Sequence, residues 1–257
     1  VVNTDGSVNY YLDPTNSALK EGGGASNLTG ADGNVMVEIP AFWMTFDAVG
    51  VSEARSYTWK IYDRPVNGSV IHPAFIRNGK QVSKRYISAY DACALNGSTY
   101  ESGLNWDNNE TAGQLWGDHT TTTVKLASVS GQYPAVGITR ATARKMAQNI
   151  GPNWSMQDFY LISAIQMLYL LEYGNFNSQA QIGEGNVNGS YLESSGSQSD
   201  SPHTIAGASN SIGNASGNNN VGGAKPRVDW VSYRGIENFW GNCWKFVDGI
   251  NVIDLQV

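Results

Sequence analysis

Apolar positions in this chain alternate over short stretches in its first half and then follow a helical period once, over two adjacent segments. Val35 to Met44 reads as a strand that Pro40 interrupts and that resumes beyond it. Tyr57 to Tyr62 alternates Tyr, Trp and Ile with polar residues, the pattern of a half-buried strand, and Val70–Phe75 and Arg85–Tyr90 read as further short strands. Thr139 is placed to cap a helix running to Ile150, with Gly151 as its stop. Ser155 followed by Asp158 resembles a capping box for a second helix that ends at Tyr173, before Gly174. Phe159, Ile162, Ile165, Leu168 and Leu171 spread over more than one face, so this helix is expected in the core, between a sheet and loops.

Around these elements lie three stretches without a period. Residues 1–34 are rich in Gly, Asn, Ser and Asp, with an island at Tyr10, Tyr11 and Leu12, and read as a connector with brief β-structure. Residues 96–130 are irregular and set Trp106 and Trp116 among polar residues, where a large aromatic either pins its loop or awaits a ligand. Residues 183–226 are a low-complexity run of Gly, Ser and Asn that cannot offset its own ordering entropy. It is therefore either a mobile excursion or a loop ordered by its neighbours. Aromatics return between Arg227 and Ile253. Short strands, one helix pair and long loops define an α+β class, and no internal repeat is visible.

Charge narrows the function. Only 15% of residues are charged, against about 25% in ordinary soluble domains, and the net charge is −6. Lys60, Arg77, Lys125 and Arg227 stand singly, so no basic cluster exists to displace counterions from phosphates, and nucleic-acid or anionic-membrane binding is not expected. The longest apolar stretch, Phe159 to Tyr173, is broken by Ser163, Gln166 and Glu172, and no membrane-spanning run or signal peptide is read. The opening Val1 suggests a piece of something longer. Cys93 and Cys243 are far apart and outside any metal-ligand spacing; two buried free thiols are read ahead of a disulfide, and a disulfide ahead of a metal pair.

Catalytic spacing is absent. His72 precedes Pro73, His119 follows Asp118 and His203 sits in the low-complexity run; none belongs to a metal-binding helix motif, and no nucleophile elbow, phosphate loop or dinucleotide fingerprint occurs. The pair of Asp118 and His119 is the best remaining acid–base candidate, set against a solvated loop histidine. Asp107-Asn108-Asn109-Glu110 offers oxygens for calcium, but such runs are commonly turn chemistry. The Asn-x-Ser/Thr triplets at Asn27, Asn67, Asn96 and Asn188 are those expected of this composition.

Several stretches together resemble a known group. Gly33 to Trp43 is similar to a strand near the start of many phage tail proteins, and His72 to Arg77 and Tyr86 to Tyr90 follow in the same order. Gly241-Asn242-Cys243-Trp244-Lys245-Phe246-Val247 resembles the Gly-Asn-Val-Trp-Glu-Trp signature of the formylglycine-generating-enzyme branch of the C-type lectin fold. The helix pair ending Leu171 to Asn177 also matches phage tail proteins of this group, some of which are variable proteins of diversity-generating retroelements. The resemblance implies a C-type-lectin-like fold over residues 35–257, with 1–34 as connector and 183–226 as insertion. In it Gly235 and Gly241 permit tight turns, Glu237 and Asn238 satisfy buried backbone groups, Arg234, Glu237 and Asn242 hold the fold, and Trp240, Trp244 and Phe246 fill the core. Three departures matter. The close cysteine pair of the oxidase members is absent, Glu237-Asn238 lacks the proline of the animal-lectin calcium motif, and relatives commonly continue past this point into an extension that carries the varied residues in retroelement targets, so the principal binding surface is expected either outside this sequence or in the 183–226 run.

What the resemblance implies is a phage tail-fibre or receptor-binding protein, not an enzyme. It would recognise a host cell-surface protein or glycan as a homotrimer in a virion tail, without cofactor, nucleic acid or membrane. The expected ligand contacts are Trp106, Trp116, Tyr191, Trp230 and Tyr233. A cellular or secreted lectin-like adhesin and a metal-assisted oxidase of the same fold are the alternatives.

Overall fold

A computed structural model describes residues 1–51, 56–101, 123–136, 138–187, 203–219 and 229–250. In chain order, β1 (Leu12–Asp13) and β2 (Asn16–Lys20) are followed by β3 (Met36–Pro40), β4 (Trp43–Val49), β5 (Ser56–Tyr62) and β6 (Val70–Ile71). After a 3-10 turn at Pro73–Phe75 come β7 (Ile76–Arg77), β8 (Lys80–Gln81) and β9 (Lys84–Ser88), then β10 (Cys93–Asn96), β11 (Thr99–Glu101) and β12 (Lys125–Ala127). Helices α1 (Arg140–Gln148), α2 (Phe159–Tyr173) and α3 (Ser178–Gln181) precede β13 (Gly217–Asn218), β14 (Val231–Tyr233) and β15 (Ile236–Glu237). The class is α+β, built of small antiparallel sheets, three helices among the described residues, and long loops. None of those helices is long and apolar enough to cross a membrane.

The chain forms two compact units. The first comprises Val1–Val37, Ser88–Met156 and Asn175–Val247; the second Glu38–Ile87, Gln157–Gly174 and Asp248–Val257.

Three sheets belong to the first unit: β1–β2, β11–β10–β12 and β13–β14–β15. Its core is a set of small apolar clusters. Leu28, Val35, Ala89, Tyr90 and Ala206 form one. Ala94, Val124 and Met146 form another, which extends through Leu126 and Ile138 to Ala143, Ala147 and Met156. Helix α1 contributes Ala143, Met146 and Ala147, one stripe at helical spacing. It starts where expected: the Thr139 hydroxyl accepts the Thr142 N–H at 3.1 Å. Its cap at the far end is Asn149, two residues before Gly151.

The longer described part of the low-complexity run, 203–219, is ordered by its neighbours. Ala206 exchanges backbone hydrogen bonds with Gln132 and Gly131, and Thr204, Ala206 and Ser209 are buried. With hardly any apolar bulk, this segment is held by backbone pairing and by side-chain acceptors.

The second unit carries the β5–β4–β6 and β7–β8 sheets and most of the β3–β9 pair. Helix α2 begins three residues later than the expected cap at Ser155. Asp158 is the cap, its Oδ1 accepting the Leu161 N–H at 2.9 Å, while its Oδ2 receives Arg77 at 2.9 Å and Arg85 at 2.8 Å. Asp158 wins because one carboxylate there meets both an orphan amide and two guanidinium groups. Gly174, at φ 59°, ends the helix as expected, donating to the Leu170 carbonyl at 2.8 Å. Leu161, Ala164, Ile165, Met167 and Tyr169 are buried, but Tyr160 and Leu171 are exposed, so the wide apolar girdle is covered on part of its circumference only.

The expected strand Val70–Phe75 stops at Ile71. Pro73 has no N–H to continue a ladder and a φ suited to a helical start, so His72 caps a 3-10 turn, its Nδ1 accepting the Ala74 N–H at 3.2 Å. Phe42 and Phe75 pack against the His72 ring, and burial holds its pKa below the ordinary value.

Candidate functional site

Two groups of residues stand out, one closed and one open. The closed group lies in the first unit, around the turn after β15. Gly241 and Asn242 both take left-handed backbone, at φ 76° and 62°, which glycine and asparagine tolerate best. The Asn242 amide donates to Asp91 at 2.9 Å, and its carbonyl accepts the Thr204 N–H at 2.8 Å and the Asn186 amide at 3.2 Å. Lys245 pairs with Asp91 at 2.8 Å, its Nζ standing 4.0 Å from the Cys243 sulfur.

Both thiols of this unit are held protonated. Burial lowers the acidity of the Cys243 thiol, Asp91 adds to that and Lys245 opposes it, and the pKa is pushed up to about 12. Cys93 is likewise pushed up by burial, to about 12, and its thiol donates to the Ala127 carbonyl at 3.4 Å. Both cysteines are free, and both stay protonated at neutral pH, the form that is not nucleophilic. Burial works against the Lys245 ammonium, but Asp91 and Cys243 outweigh it, so the amine is held charged. His203 is held below its ordinary pKa by burial, with Asp91 opposing and Lys245 adding. No three of His, Cys, Asp and Glu gather as a metal-holding group among the described residues.

Glu237 shows the same closure. Its carboxylate accepts the Gly207 N–H at 2.9 Å, the Ser209 N–H at 2.7 Å and the Ser209 hydroxyl at 2.6 Å, and the Asn238 side chain accepts the Val231 N–H at 3.3 Å. These two residues thus satisfy buried backbone donors, as expected from the sequence. Arg234 is exposed at φ 52° between β14 and β15.

The expectation that Trp244 and Phe246 fill the core is corrected. Trp244 is fully exposed and Phe246 is 43% exposed, while Trp240 is half-buried with its indole N–H donating to the Gly183 carbonyl at 3.0 Å. The turn explains it: Cys243 and Lys245 point inward to Asp91, so the alternate positions 244 and 246 point out. Of the expected ligand contacts, Trp230 and Tyr233 flank and end β14 and are 7% and 4% exposed, enclosed by the protein itself. Trp106, Trp116 and Tyr191 lie outside the described residues, as do Asp118, His119 and the Asp107–Glu110 run.

The open group is in the second unit. Strands β4 and β5 pair antiparallel with Met44 opposite Ile61, Phe46 opposite Trp59 and Ala48 opposite Tyr57; Val70 of β6 lies opposite Met44. Directly opposed residues share a face, and so do alternate residues of one strand. All seven of these side chains therefore line one face, and all are apolar or aromatic. The other face is mixed: Thr45, Asp47, Ser56, Thr58 and Lys60 lie on it together with Trp43, Val49, Tyr62 and Ile71. Tyr57 and Trp59, expected half-buried, are more than half exposed, as are Phe46 and Val70. The rings group together: Phe46 stacks on Tyr57 with centroids 5.5 Å apart and planes 19° apart, and meets Trp59 at 5.3 Å and 84°. Cross-strand aromatic pairs of this kind contribute about 0.5–1.5 kcal/mol each to holding a hairpin.

The alternation in 43–49 and 56–62 is legible in the sequence, and a hairpin with one wholly apolar face could have been read from it. That its apolar face is left uncovered could not. Compared with family models, with curated proteins and with solved structures, the chain finds no match.

Proposed function

We propose that this protein is a phage tail-fibre or receptor-binding protein of C-type-lectin-like fold, one that attaches to a host cell surface by binding and performs no chemistry. The observation that carries the reading is the aromatic face of the β4–β5 hairpin. Tyr, Trp and Phe give large contact area with few rotatable bonds, and they are enriched where proteins recognise partners. A monomer seldom leaves such a cluster uncovered without use. The low charge and the amide-rich composition fit the same role, and the sequence resemblance of the Gly241–Val247 turn and the 139–173 helix pair supplies the phage and fold assignment. A trimeric tail would multiply a weak single contact into firm attachment.

The test is adhesion. Fluorescently labelled protein, presented as the full chain, is applied to a broad panel of bacterial strains beside the variants Trp59→Ala and Tyr57→Ala. Adhesion to some strains, weakened by both substitutions, is the expected result; wild-type protein that adheres to no strain refutes the reading.

A further inference from the structure

We infer that the aromatic face of the β4–β5 hairpin binds a neutral glycan, by stacking sugar rings on Trp59 and Tyr57 without a metal ion. The inference rests on the reading of this face as a recognition surface and names its ligand.

Size is the first argument. Phe46, Tyr57 and Trp59 are 53%, 55% and 52% exposed, which for rings that bury 150–250 Å² when fully covered leaves about 300 Å² of aromatic contact. A standard protein interface takes about 800 Å² from each partner. The face is thus too small for a second copy of the chain or a folded partner by itself, and suits a short oligosaccharide. Charge is the second. Among the described residues of β4, β5 and β6 no charged side chain lies on this face; Asp47 and Lys60 belong to the opposite one. An anionic or cationic ligand would find no counter-charge there, whereas the C–H face of a neutral sugar ring carries slight positive charge that matches the negative face of an aromatic ring.

Geometry is the third. The Phe46–Trp59 and Ala48–Tyr57 rows stand about 7 Å apart along the ribbon, so successive sugars meet successive rows. Phe46 braces Tyr57 face to face and Trp59 at a right angle, which fixes both outer rings before a ligand arrives. Among the described residues β5 is the outer strand in the order β5–β4–β6, so its outer edge presents backbone N–H and C=O groups to sugar hydroxyls, and the Tyr57 phenol adds another polar partner.

The experiment is native gel electrophoresis of the full chain through gels containing dextran, galactomannan, xylan or mannan, with anionic alginate as comparison. Retardation by at least one neutral polymer is expected, unchanged by EDTA and by high salt. Trp59→Ala and Tyr57→Ala should bind about tenfold more weakly, the size of one lost stacking contact. Trp59→Tyr keeps a ring on the hairpin and should retain most of the binding, which separates loss of stacking from loss of folding; far-ultraviolet circular dichroism of each variant completes that control. Retardation by none of the neutral polymers, retardation abolished by EDTA, or retardation unaffected by Trp59→Ala each overturns the inference. Trp59-dependent binding to phosphatidylcholine vesicles, or Trp59-dependent self-association in size-exclusion chromatography, without polysaccharide retardation, assigns the face to a membrane or a second copy and overturns it too. If cell adhesion falls in Trp59→Ala while no polysaccharide retards the protein, the glycan is wrong and the recognition face stands. If adhesion persists undiminished in Trp59→Ala, the face itself is wrong.

Discussion

Asn242 joins three segments of the first unit through one side chain, and its replacement by alanine should be among the most damaging single changes outside the apolar core. Three losses combine. Thr204 is buried, so its N–H is left without the Asn242 acceptor, and an orphaned buried donor costs about 1–3 kcal/mol. Asp91 loses a donated hydrogen bond and keeps Lys245. Alanine must also hold φ 62°, a left-handed conformation that costs an ordinary residue about 1–2 kcal/mol. Together these predict a loss of about 3–5 kcal/mol for Asn242→Ala. Asn242→Gly removes the same hydrogen bonds but is free of the backbone cost, so it should be about 1 kcal/mol less damaging. Urea denaturation followed by tryptophan fluorescence reads both, as a lower midpoint at unchanged slope. Asn242→Ala within about 0.5 kcal/mol of wild type, the range of a bland surface change, would falsify the view that this turn holds the fold. Equal loss in the glycine and alanine variants would show that the left-handed backbone carries no cost.

Three further outcomes follow from the same structure. Asp158→Ala removes the α2 cap and leaves the nearly buried Arg85 without its carboxylate, so a loss of about 3 kcal/mol or more is expected in thermal or urea unfolding; a change below about 1 kcal/mol would contradict the paired assignment. With both thiols near pKa 12, the thiolate fraction at pH 8 is about one in ten thousand, so a maleimide reagent should label Cys93 and Cys243 slowly in native protein and rapidly in urea, and equal rates would refute their closure. Glu237 has its pKa raised by burial, which outweighs its hydrogen bonds from Ser209 and Gly207. The folded state therefore binds that proton more tightly than the unfolded chain, and this group's contribution to stability increases as pH falls from its raised folded pKa toward the ordinary 4.5. Glu237→Gln should flatten that rise relative to wild type, and parallel pH profiles for the two proteins would count against it.

The resemblance whose signature is Gly241–Val247 marked Glu237, Asn238 and Asn242 as structural, and their hydrogen bonds satisfy buried partners in the first unit. The exposed hairpin was half legible. Its two faces are written in the alternation of Met44, Phe46 and Ala48 with Thr45 and Asp47, but the sequence alone suggested cover for the aromatic side. Trp230 and Tyr233, expected as contacts under the resemblance, are buried, since an aromatic in a polar context looks the same whether its loop folds over it or under it.

What the sequence by itself determined are the features written in local chemistry: the α1 start at Thr139, the α2 stop at Gly174, the break at Pro40 and the α+β class. These depend on a few adjacent residues satisfying or denying backbone hydrogen bonds, and such rules operate wherever the segment sits. Only the tertiary structure decided that Asp158 and not Ser155 caps α2, that Lys245 turns inward to Asp91 while Trp244 turns out, that residues 203–219 are ordered, and that the β4–β5 aromatics stay uncovered. Each of those is settled by a partner far along the chain, or by the lack of cover over a face, and burial is a property of the packed whole that no window of sequence contains.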